Sequence, residues 1–316
     1  MSAREMIAGA ASRPIPAWVW GGVAGIVGFI AAYAVMSRPD QPGDFLYWYT
    51  AAKVLVSGGN PYEAIPTLNP ERFATGFFYP LPAVLLTVPF SFLPYRLAGP
   101  LFVALTSSLV GYGVAKQGLH RLWLLAGAPF IVSAASGTWS IAVTAAALFP
   151  ILGFLACAKP NAGIAAFLYR PSRKMVVGCL VLIVLSFVVW PGWLRAWLGE
   201  VGGVQNRVIP ILTPAGPFLL LALTRWRRRE TRLLLGYACV PQAPWFYDQL
   251  ILTLIPATQL EAINYAFTTQ LTLAIWIVFN GVLWTHGNWL LAAVLYLPPL
   301  IMILRRPNEP PAAATN

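Results

Sequence analysis

Four of the ten acidic residues lie in the longest polar interruption of a very apolar chain, between positions 39 and 82: Asp40, Asp44, Glu63 and Glu71. A carboxylate can act as a general base that accepts the proton of a reacting hydroxyl. Asp44 is our first candidate because it directly precedes a helical pattern. The same position also suits the N-cap of that helix, so both roles stay open. Asp40 ranks second because the Gln-Pro-Gly after it is typical of a turn.

Two further charged residues interrupt apolar sequence later in the chain. Asp248 follows Trp-Phe-Tyr247 at a break in the helical pattern. A carboxylate at membrane depth is a functional candidate, but Asp248 could equally cap a helix beginning at Gln249. Lys159 could bind a lipid phosphate or simply extend to the membrane surface. Arg195 and Arg207 leave the same two roles open, with extension to the surface favoured.

Several kinds of site have no pattern in this sequence. Cys157, Cys179 and Cys239 fall inside apolar runs without metal-ligand spacing, which indicates inert packing. His120 and His286 are isolated near the ends of apolar runs. The chain has no Gly-rich phosphate loop, no Ser/His/Asp set and no Asp-x-Asp pair for a metal on a nucleotide sugar. We therefore expect neither a metal nor a cofactor.

The composition indicates a membrane protein. Of the 316 residues, 58% are hydrophobic and 10% are charged, against about 25% charged in soluble domains. Apolar runs of roughly 17–25 residues recur along the chain, which predicts an all-α, polytopic bundle of about 10–12 transmembrane helices. We expect one integral membrane domain over 1–306 and a disordered cytoplasmic tail over 307–316.

The predicted spans position the candidate residues. The first, 17–36, is too long for the core of a signal peptide, so we interpret it as a retained helix. The third is rich in small residues that permit close helix packing. Lys159 begins a piece of about ten residues, too short to span, which we interpret as a half-helix. The further predicted spans are a short one from Tyr79 to near Pro94, then 97–115, 122–137, 141–157, 175–190, 208–224, a helix to Val240, a segment to Leu260, 268–285 and 289–304.

The net charge of +11 is concentrated in clusters between spans. Such clusters follow from the positive-inside rule better than from nucleic-acid binding. Both termini are predicted to be cytoplasmic, in the plasma (inner) membrane of a bacterium. Alternation then places Arg170–Lys174, Arg225–Arg229 and Arg305–Arg306 inside. It places the 37–79 loop, the 191–207 loop and Asp248 outside, and also Lys116 and Arg121, which is the one conflict with the rule.

The 37–79 loop is predicted to contain an amphipathic helix. Apolar residues recur at helical spacing after Asp44, and Gly58-Gly59-Asn60-Pro61 ends the pattern. We expect this helix to lie flat at the membrane surface with its aromatic rings at headgroup depth. Its apolar face would comprise Phe45, Trp48, Tyr49, Ala52, Leu55 and Val56. Such a helix would hold the Asp44 carboxylate at the boundary between lipid and water.

The order of these features resembles family 87 of the glycosyltransferases, which are polytopic enzymes with the GT-C fold. The resemblance rests on three stretches between positions 44 and 256. The first is Asp44-Phe-Leu-Tyr-Trp-Tyr-Thr-Ala-Ala with Gly58-Gly-Asn-Pro-Tyr62 and Phe78-Tyr-Pro-Leu-Pro-Ala83. The others are Ala158-Lys-Pro-Asn161 and the break from Pro241 through Trp245-Phe-Tyr-Asp248.

The resemblance implies an inverting transferase that moves a hexose, expected to be mannose, from a polyprenyl-phosphate sugar to a glycolipid or glycan hydroxyl outside the membrane. Asp44 would be the general base. The binding residues would be Asp40, Tyr79, Lys159, Arg195, Arg207, Tyr247 and Asp248. The expected partners are these substrates and membrane lipids, not nucleic acid.

Two other functions stay open. Broken helices and ions at membrane depth, here at Lys159 and Asp248, are also typical of transporters. A lipid-sugar flippase is therefore one alternative, although we find no inverted repeat. A non-catalytic partner with a GT-C-like fold is the other, because the chain has Gly137-Thr138 where many relatives have Gly-Gln.

Overall fold

The structure, a computed structural model, describes residues 15–38, 43–68, 76–202, 207–243, 245–279 and 288–310. These residues fold into helices, and their one β-type pairing is an isolated antiparallel bridge between Val208 and Gln242. The all-α prediction is confirmed. Asp40, Glu71, His286 and residues 311–316 of the predicted tail lie outside the described residues.

The helices differ widely in length. The α-helices are α1 (Ala17–Met36), α2 (Phe45–Val56), α3 (Pro61–Leu68), α4 (Leu81–Ser91), α5 (Tyr95–Gln117), α6 (Ala128–Ser136), α7 (Trp139–Leu148), α8 (Pro160–Tyr169), α9 (Arg173–Val189), α10 (Trp193–Gly202), α11 (Gly216–Leu219), α12 (Arg229–Ala238), α13 (Gln259–Val278) and α14 (Asn288–Leu304). The 3₁₀ segments are Leu119–Ala126, Pro150–Ala158, Pro210–Leu212, Leu220–Arg225 and Asp248–Leu254.

Within the described residues, two helices, α1 and α5, are long and apolar enough to cross a membrane. Two bent pairs pass the same test if each is one span: Leu119–Ala126 with α6, bent by 60°, and α9 with α10, bent by 103°. The prediction of one continuous helix over 208–224 is wrong, because that stretch is divided into three short helical pieces. Pro210, Pro214 and Pro217 each remove a backbone donor there, which interrupts helical hydrogen bonding.

Helices α1 and α5 pack closely along their length through small residues. This packing was predicted for the third span, 97–115, which corresponds to α5. A Cβ on Gly21 would lie 2.9 Å from the carbonyl oxygen of Ser108, and one on Gly25 or Gly28 would overlap a serine hydroxyl of α5. Close approach of two backbones increases the van der Waals contact that holds helices together in lipid.

Contacts along α5 define two ends of the bundle. A helix of 23 residues is about 34 Å long. At its first residue the Tyr95 ring lies 6.2 Å from the Phe45 ring. Its last residue, Gln117, accepts a hydrogen bond from Arg121. The length matches the hydrocarbon core of a bilayer, about 30 Å thick.

Arginines gather at the Arg121 end. Arg121 donates to the Leu254 carbonyl oxygen, and Arg306 donates to that of Ile255. Arg225 in turn donates to the carbonyl of Arg306, and Arg232 to that of Leu168, at 3.3 Å. We call this the basic end: Arg121, Arg170–Lys174, Arg225–Arg232 and Arg305–Arg306. Residues 307–310 also lie here, with Arg228 donating to the Pro307 carbonyl.

The placement of Arg121 opposite the other basic clusters is therefore wrong. The reason lies in α4, which has only 11 residues and contains Pro89. Tyr49 donates to the Leu93 carbonyl oxygen at 2.8 Å, so the chain leaves α4 beside α2 and at the end of the bundle where it entered. The predicted second span does not cross, and α5 starts from the same end.

The aromatic face of α2 does not lie at a lipid surface. Phe45 and Trp48 are fully buried, and Tyr49 nearly so. The Phe45 ring packs edge-on against Phe90 and tilted against Phe102. The interfacial placement of this face is wrong because α4 and α5 cover it. The helix itself exists and begins where the sequence predicted.

Candidate active site

Asp44 occupies the residue before α2 without capping it. Its side chain makes no hydrogen bond to the first turn of the helix. Instead its backbone N–H donates to the carbonyl oxygen of Ser136 at 2.8 Å, which fixes the residue against the end of α6. The capping role is therefore wrong, and the carboxylate is available for other contacts.

Two glycines make this approach possible. Gly43 has φ of +69° and Gly137 has φ of +67°, in the left-handed region that favours glycine. A Cβ on Gly43 would stand 2.9 Å from the Ser136 carbonyl oxygen. A Cβ on Gly137 would overlap the methyl group of Met36. The position of Asp44 thus depends on close backbone contact between loop and helix.

A buried ion pair joins two of the predicted residues. Lys159 donates to Oδ1 of Asp248 and, at 2.7 Å, to the hydroxyl of Ser140. Its ammonium also lies 5.0 Å from the centre of the Tyr247 ring, within the range of a cation–π contact. Lys159 is 7% exposed and Asp248 1%. Extension of Lys159 to the surface is therefore wrong.

Asp248 is held from several sides. Its Oδ2 accepts the N–H of Ala243 at 2.7 Å. Its carbonyl oxygen accepts the hydroxyl of Tyr237. Its two side-chain oxygens accept from Lys159 and Ala243, which both lie outside the 3₁₀ segment that Asp248 begins, so the capping role is wrong here as well. A buried charge with this many partners is well fixed in position.

Helix α6 brings the Asp44 carboxylate near this pair, because the Asp44 N–H donates to the Ser136 carbonyl and Ser133 donates to the Tyr247 carbonyl oxygen at 3.4 Å. The charges of Lys159, Asp248 and Arg207 all influence the pKa of Asp44. Burial raises the pKa of the Asp44 carboxyl from 3.8 to about 6, Lys159 lowers it and Asp248 raises it again. A carboxyl with a pKa of about 6 is mostly ionised at neutral pH and still basic enough to accept a proton.

Tyr79 lies in the same cluster because its backbone is fixed on both sides. The Tyr62 hydroxyl donates to the Tyr79 carbonyl oxygen at 2.9 Å. The Trp197 indole N–H donates to the carbonyl of Phe78 at 2.8 Å. The Tyr79 ring packs edge-on against Trp48, with 4.5 Å between centroids. Burial raises the pKa of the Tyr79 hydroxyl, and the charge of Asp44 adds to that effect.

Arg207 contributes a cation from the surface. Its guanidinium lies 6.0 Å from the centre of the Phe78 ring and is exposed. Arg195, by contrast, is exposed on α10, and the described residues include no charged partner for it. Six predicted residues therefore come together: Asp44, Tyr79, Lys159, Arg207, Tyr247 and Asp248.

Sequence reasoning missed three residues that position this site: Ser140, Tyr237 and Trp197. Ser140 had a weak signal, as a polar residue at the start of an apolar helix. Tyr237 and Trp197 had none, because an aromatic residue in an apolar run usually indicates packing. Their roles depend on contacts between distant parts of the chain.

Among the described residues, no group of three or more His, Cys, Asp or Glu side chains could hold a metal ion. None of the protein-family models, curated proteins and solved structures compared with the chain matches it. The resemblance to family 87 therefore stays a prediction from the residue pattern.

Proposed function

We propose that this chain is a membrane glycosyltransferase that moves a hexose, with mannose as the first candidate, from a polyprenyl-phosphate sugar to an acceptor hydroxyl. One observation carries the proposal. The Asp44 carboxylate caps no helix and lies close enough to a buried Lys159–Asp248 pair for both charges to influence its pKa, although these residues come from three distant parts of the sequence. A base and a cation side by side are what transfer from a phosphate-linked sugar requires.

The proposed setting is a polytopic, GT-C-like bundle in a bacterial plasma membrane, with fewer spans than the 10–12 predicted from the sequence because α4 turns back. The length of α5 supports a span between the two ends of the bundle. The gathering of arginines at one end supports placing that end in the cytoplasm. Asp44 would then lie at the outer side, where α2 and the fixed Tyr79 segment surround it.

The proposed reaction has one proton transfer. Asp44 accepts the proton of the acceptor hydroxyl while that oxygen forms a bond to the anomeric carbon. The bond from this carbon to the phosphate oxygen breaks, so the configuration inverts and the polyprenyl phosphate leaves with the bonding electrons. Lys159 and Arg207 are placed to stabilise the charge on that phosphate. No protein acid is needed, because the phosphate is already a competent leaving group.

Replacing Asp44 by Asn tests the proposal. Because a general base typically contributes 10²–10⁴-fold, we expect transfer from a polyprenyl-phosphate sugar to fall by about that factor. The protein should still insert into the membrane and unfold at a similar temperature. Glu63→Gln is the matched control, since Glu63 is an exposed carboxylate of the same loop, and it should keep full activity.

Full transfer by Asp44→Asn would remove the mechanism. Movement of the lipid-linked sugar across proteoliposomes without covalent transfer would indicate a flippase instead. Failure of the purified chain to use any donor, with activity restored only by a second protein, would indicate a non-catalytic partner.

A further inference from the structure

The basic end contains a concentration of positive charge that the proposed function does not use. Arg170, Arg173 and Lys174 are exposed where α8 ends and α9 begins. The first turn of α12 brings Arg229 and Arg232 to the same place. The Arg229 guanidinium lies 4.9 Å from the centre of the Tyr169 ring, and Arg232 donates to the Leu168 carbonyl oxygen at 3.3 Å.

Acidic side chains balance little of this charge. Glu230 is 4% exposed and pairs with Arg228 and Arg229. Glu309 and Glu261 pair with Arg228 and Arg306, elsewhere at the basic end. Arg170 donates to the Leu148 carbonyl oxygen at 3.0 Å. Within the described residues no carboxylate pairs with Arg170, Arg173 or Lys174. Three exposed cations thus face solvent or the membrane surface together.

An exposed apolar stripe begins one turn below these cations. On α9 the stripe comprises Val177, Leu180, Val181 and Val184, in which Val177 and Val184 are each three and four residues from the two between them. Each of them is about half exposed. A stripe from Val177 to Val188 is about 17 Å long, close to one leaflet of the hydrocarbon core, about 15 Å.

We propose that this part of the basic end, defined by Arg170, Arg173, Lys174, Arg229 and Arg232, binds an anionic phospholipid. Its phosphate would lie on the cations and its acyl chains along the stripe of α9. Charge complementarity selects an anionic headgroup over a zwitterionic one, since basic pockets beside spanning helices attract acidic lipids. The adjoining apolar stripe selects a lipid over a free phosphate ion. The site is independent of Asp44 and of sugar transfer.

The test measures binding of phosphatidylglycerol and phosphatidylcholine to the full chain in detergent, by native mass spectrometry and thermal unfolding. The wild type should retain phosphatidylglycerol preferentially and gain thermal stability from it. Each cation near a charged headgroup contributes about fivefold to affinity. The triple variant Arg170→Gln/Arg173→Gln/Lys174→Gln should therefore bind more weakly by on the order of a hundredfold.

A matched control removes three exposed cations elsewhere: Arg38→Gln/Lys53→Gln/Arg195→Gln. It should bind within about twofold of the wild type, since it leaves the proposed site intact. Should the triple variant fold poorly, the wild type alone provides a second measurement. Near 1 M salt, where the Debye length is about 3 Å, the preference for phosphatidylglycerol should disappear.

Three results would overturn the proposal. These are equal retention of the two lipids by the wild type, an equal loss in the control variant, and equal protection by inorganic phosphate alone. The last would identify a simple anion site. Because none of these measurements depends on catalysis, loss of this proposal would leave the proposed transferase standing, and the reverse also holds.

Discussion

The candidate active site and the basic end hold their charges in opposite ways. At the site, two carboxylates and two cations are brought together, and Lys159 and Asp248 neutralise each other out of contact with water. At the basic end, Arg170 and Arg232 donate to backbone carbonyl oxygens near the ends of helical segments, whereas Arg306 donates to a carbonyl and also pairs with Glu261. Such carbonyls lack partners within their own helix and carry partial negative charge.

This difference shows that one helical bundle can hold buried, paired charges in one region and exposed, unpaired positive charges in another. Carbonyls fix arginines in place but leave their full charge available to an outside anion. At the site, the Lys159–Asp248 pair carries no net charge, and burial raises the pKa of the neighbouring Asp44 carboxyl to about 6. The site therefore suits chemistry, and the basic end suits adhesion to an acidic surface.

The largest effect should come from breaking the buried pair. Lys159→Met leaves Asp248 charged and unpaired in the interior, which we expect to cost roughly 3–5 kcal/mol of stability. The double variant Lys159→Met/Asp248→Asn should recover much of this loss, because Asn can still accept the N–H of Ala243. Thermal unfolding in detergent measures both effects.

The basic end supplies the control for this prediction. Arg228 and Glu309 are 3.9 Å apart, and the Glu309 side chain is 46% exposed. A long pair with one carboxylate in contact with solvent contributes about 0–1 kcal/mol, so Glu309→Gln should be nearly neutral. The contrast between the two regions is wrong if Lys159→Met loses no more stability than Glu309→Gln. It is also wrong if the double variant loses more stability than the sum of the losses in Lys159→Met and Asp248→Asn.

A smaller effect should come from the glycine that permits the close approach to Asp44. Gly137→Ala adds left-handed backbone strain of about 1–2 kcal/mol and overlap with Met36 of about 1–3 kcal/mol. Gly58→Ala is the matched control, because its φ of +80° is also positive and no atom lies within 4 Å of the added Cβ. The difference between their unfolding temperatures isolates the overlap, and equal losses would show that Met36 can move aside.

The smallest effect concerns pH. With a pKa of about 6 for Asp44, transfer should fall by about tenfold per pH unit below that value, because the base becomes protonated. Lipid binding at the basic end should stay level between about pH 5 and 8, since guanidinium groups keep their charge. The pH–rate profile and the binding profile measure the two separately.

Lowering the pH should reduce transfer but should increase the contribution of Asp44 to stability. A folded-state pKa above the unfolded value means that the native state binds the proton more tightly. The penalty from Asp44 is therefore present above about pH 6 and is relieved as the pH falls toward 4. A comparison of wild type with Asp44→Asn isolates this contribution. If the stability of Asp44→Asn changes between pH 6 and 4 just as that of the wild type does, another group controls this part of the stability profile.

The sequence predicted which charged residues lie near one another better than it predicted the path of the helices. Charged residues are rare in apolar sequence, so Asp44, Lys159 and Asp248 were each conspicuous. A compact fold tends to bring such residues together, because each buried charge needs a partner. Arg195 was predicted by the same reasoning and lies elsewhere, because a loop position does not determine direction. Ser140 was missed because its role depends on a lysine 19 residues away.

The errors in the fold have a common physical origin. The sequence pattern of an apolar helix face is the same whether that face contacts lipid or protein. The burial of Phe45 and Trp48 therefore could not be predicted from spacing. Hydrophobicity also does not show whether a short segment crosses or turns back. The return of α4 depends on the contact of Tyr49 with the Leu93 carbonyl, which no local pattern encodes.

Oxidation of Met36 would disturb the packing beneath Asp44. Its thioether fills the space that a Cβ on Gly99 or Gly137 would need, and the residue is 2% exposed. A sulfoxide oxygen has no room there and would bring a polar group into an apolar gap. Peroxide can reach the sulfur only when α1 separates locally from its neighbours. The rate of Met36 oxidation in the wild-type protein therefore reports how often the packing of α1 beneath Asp44 opens.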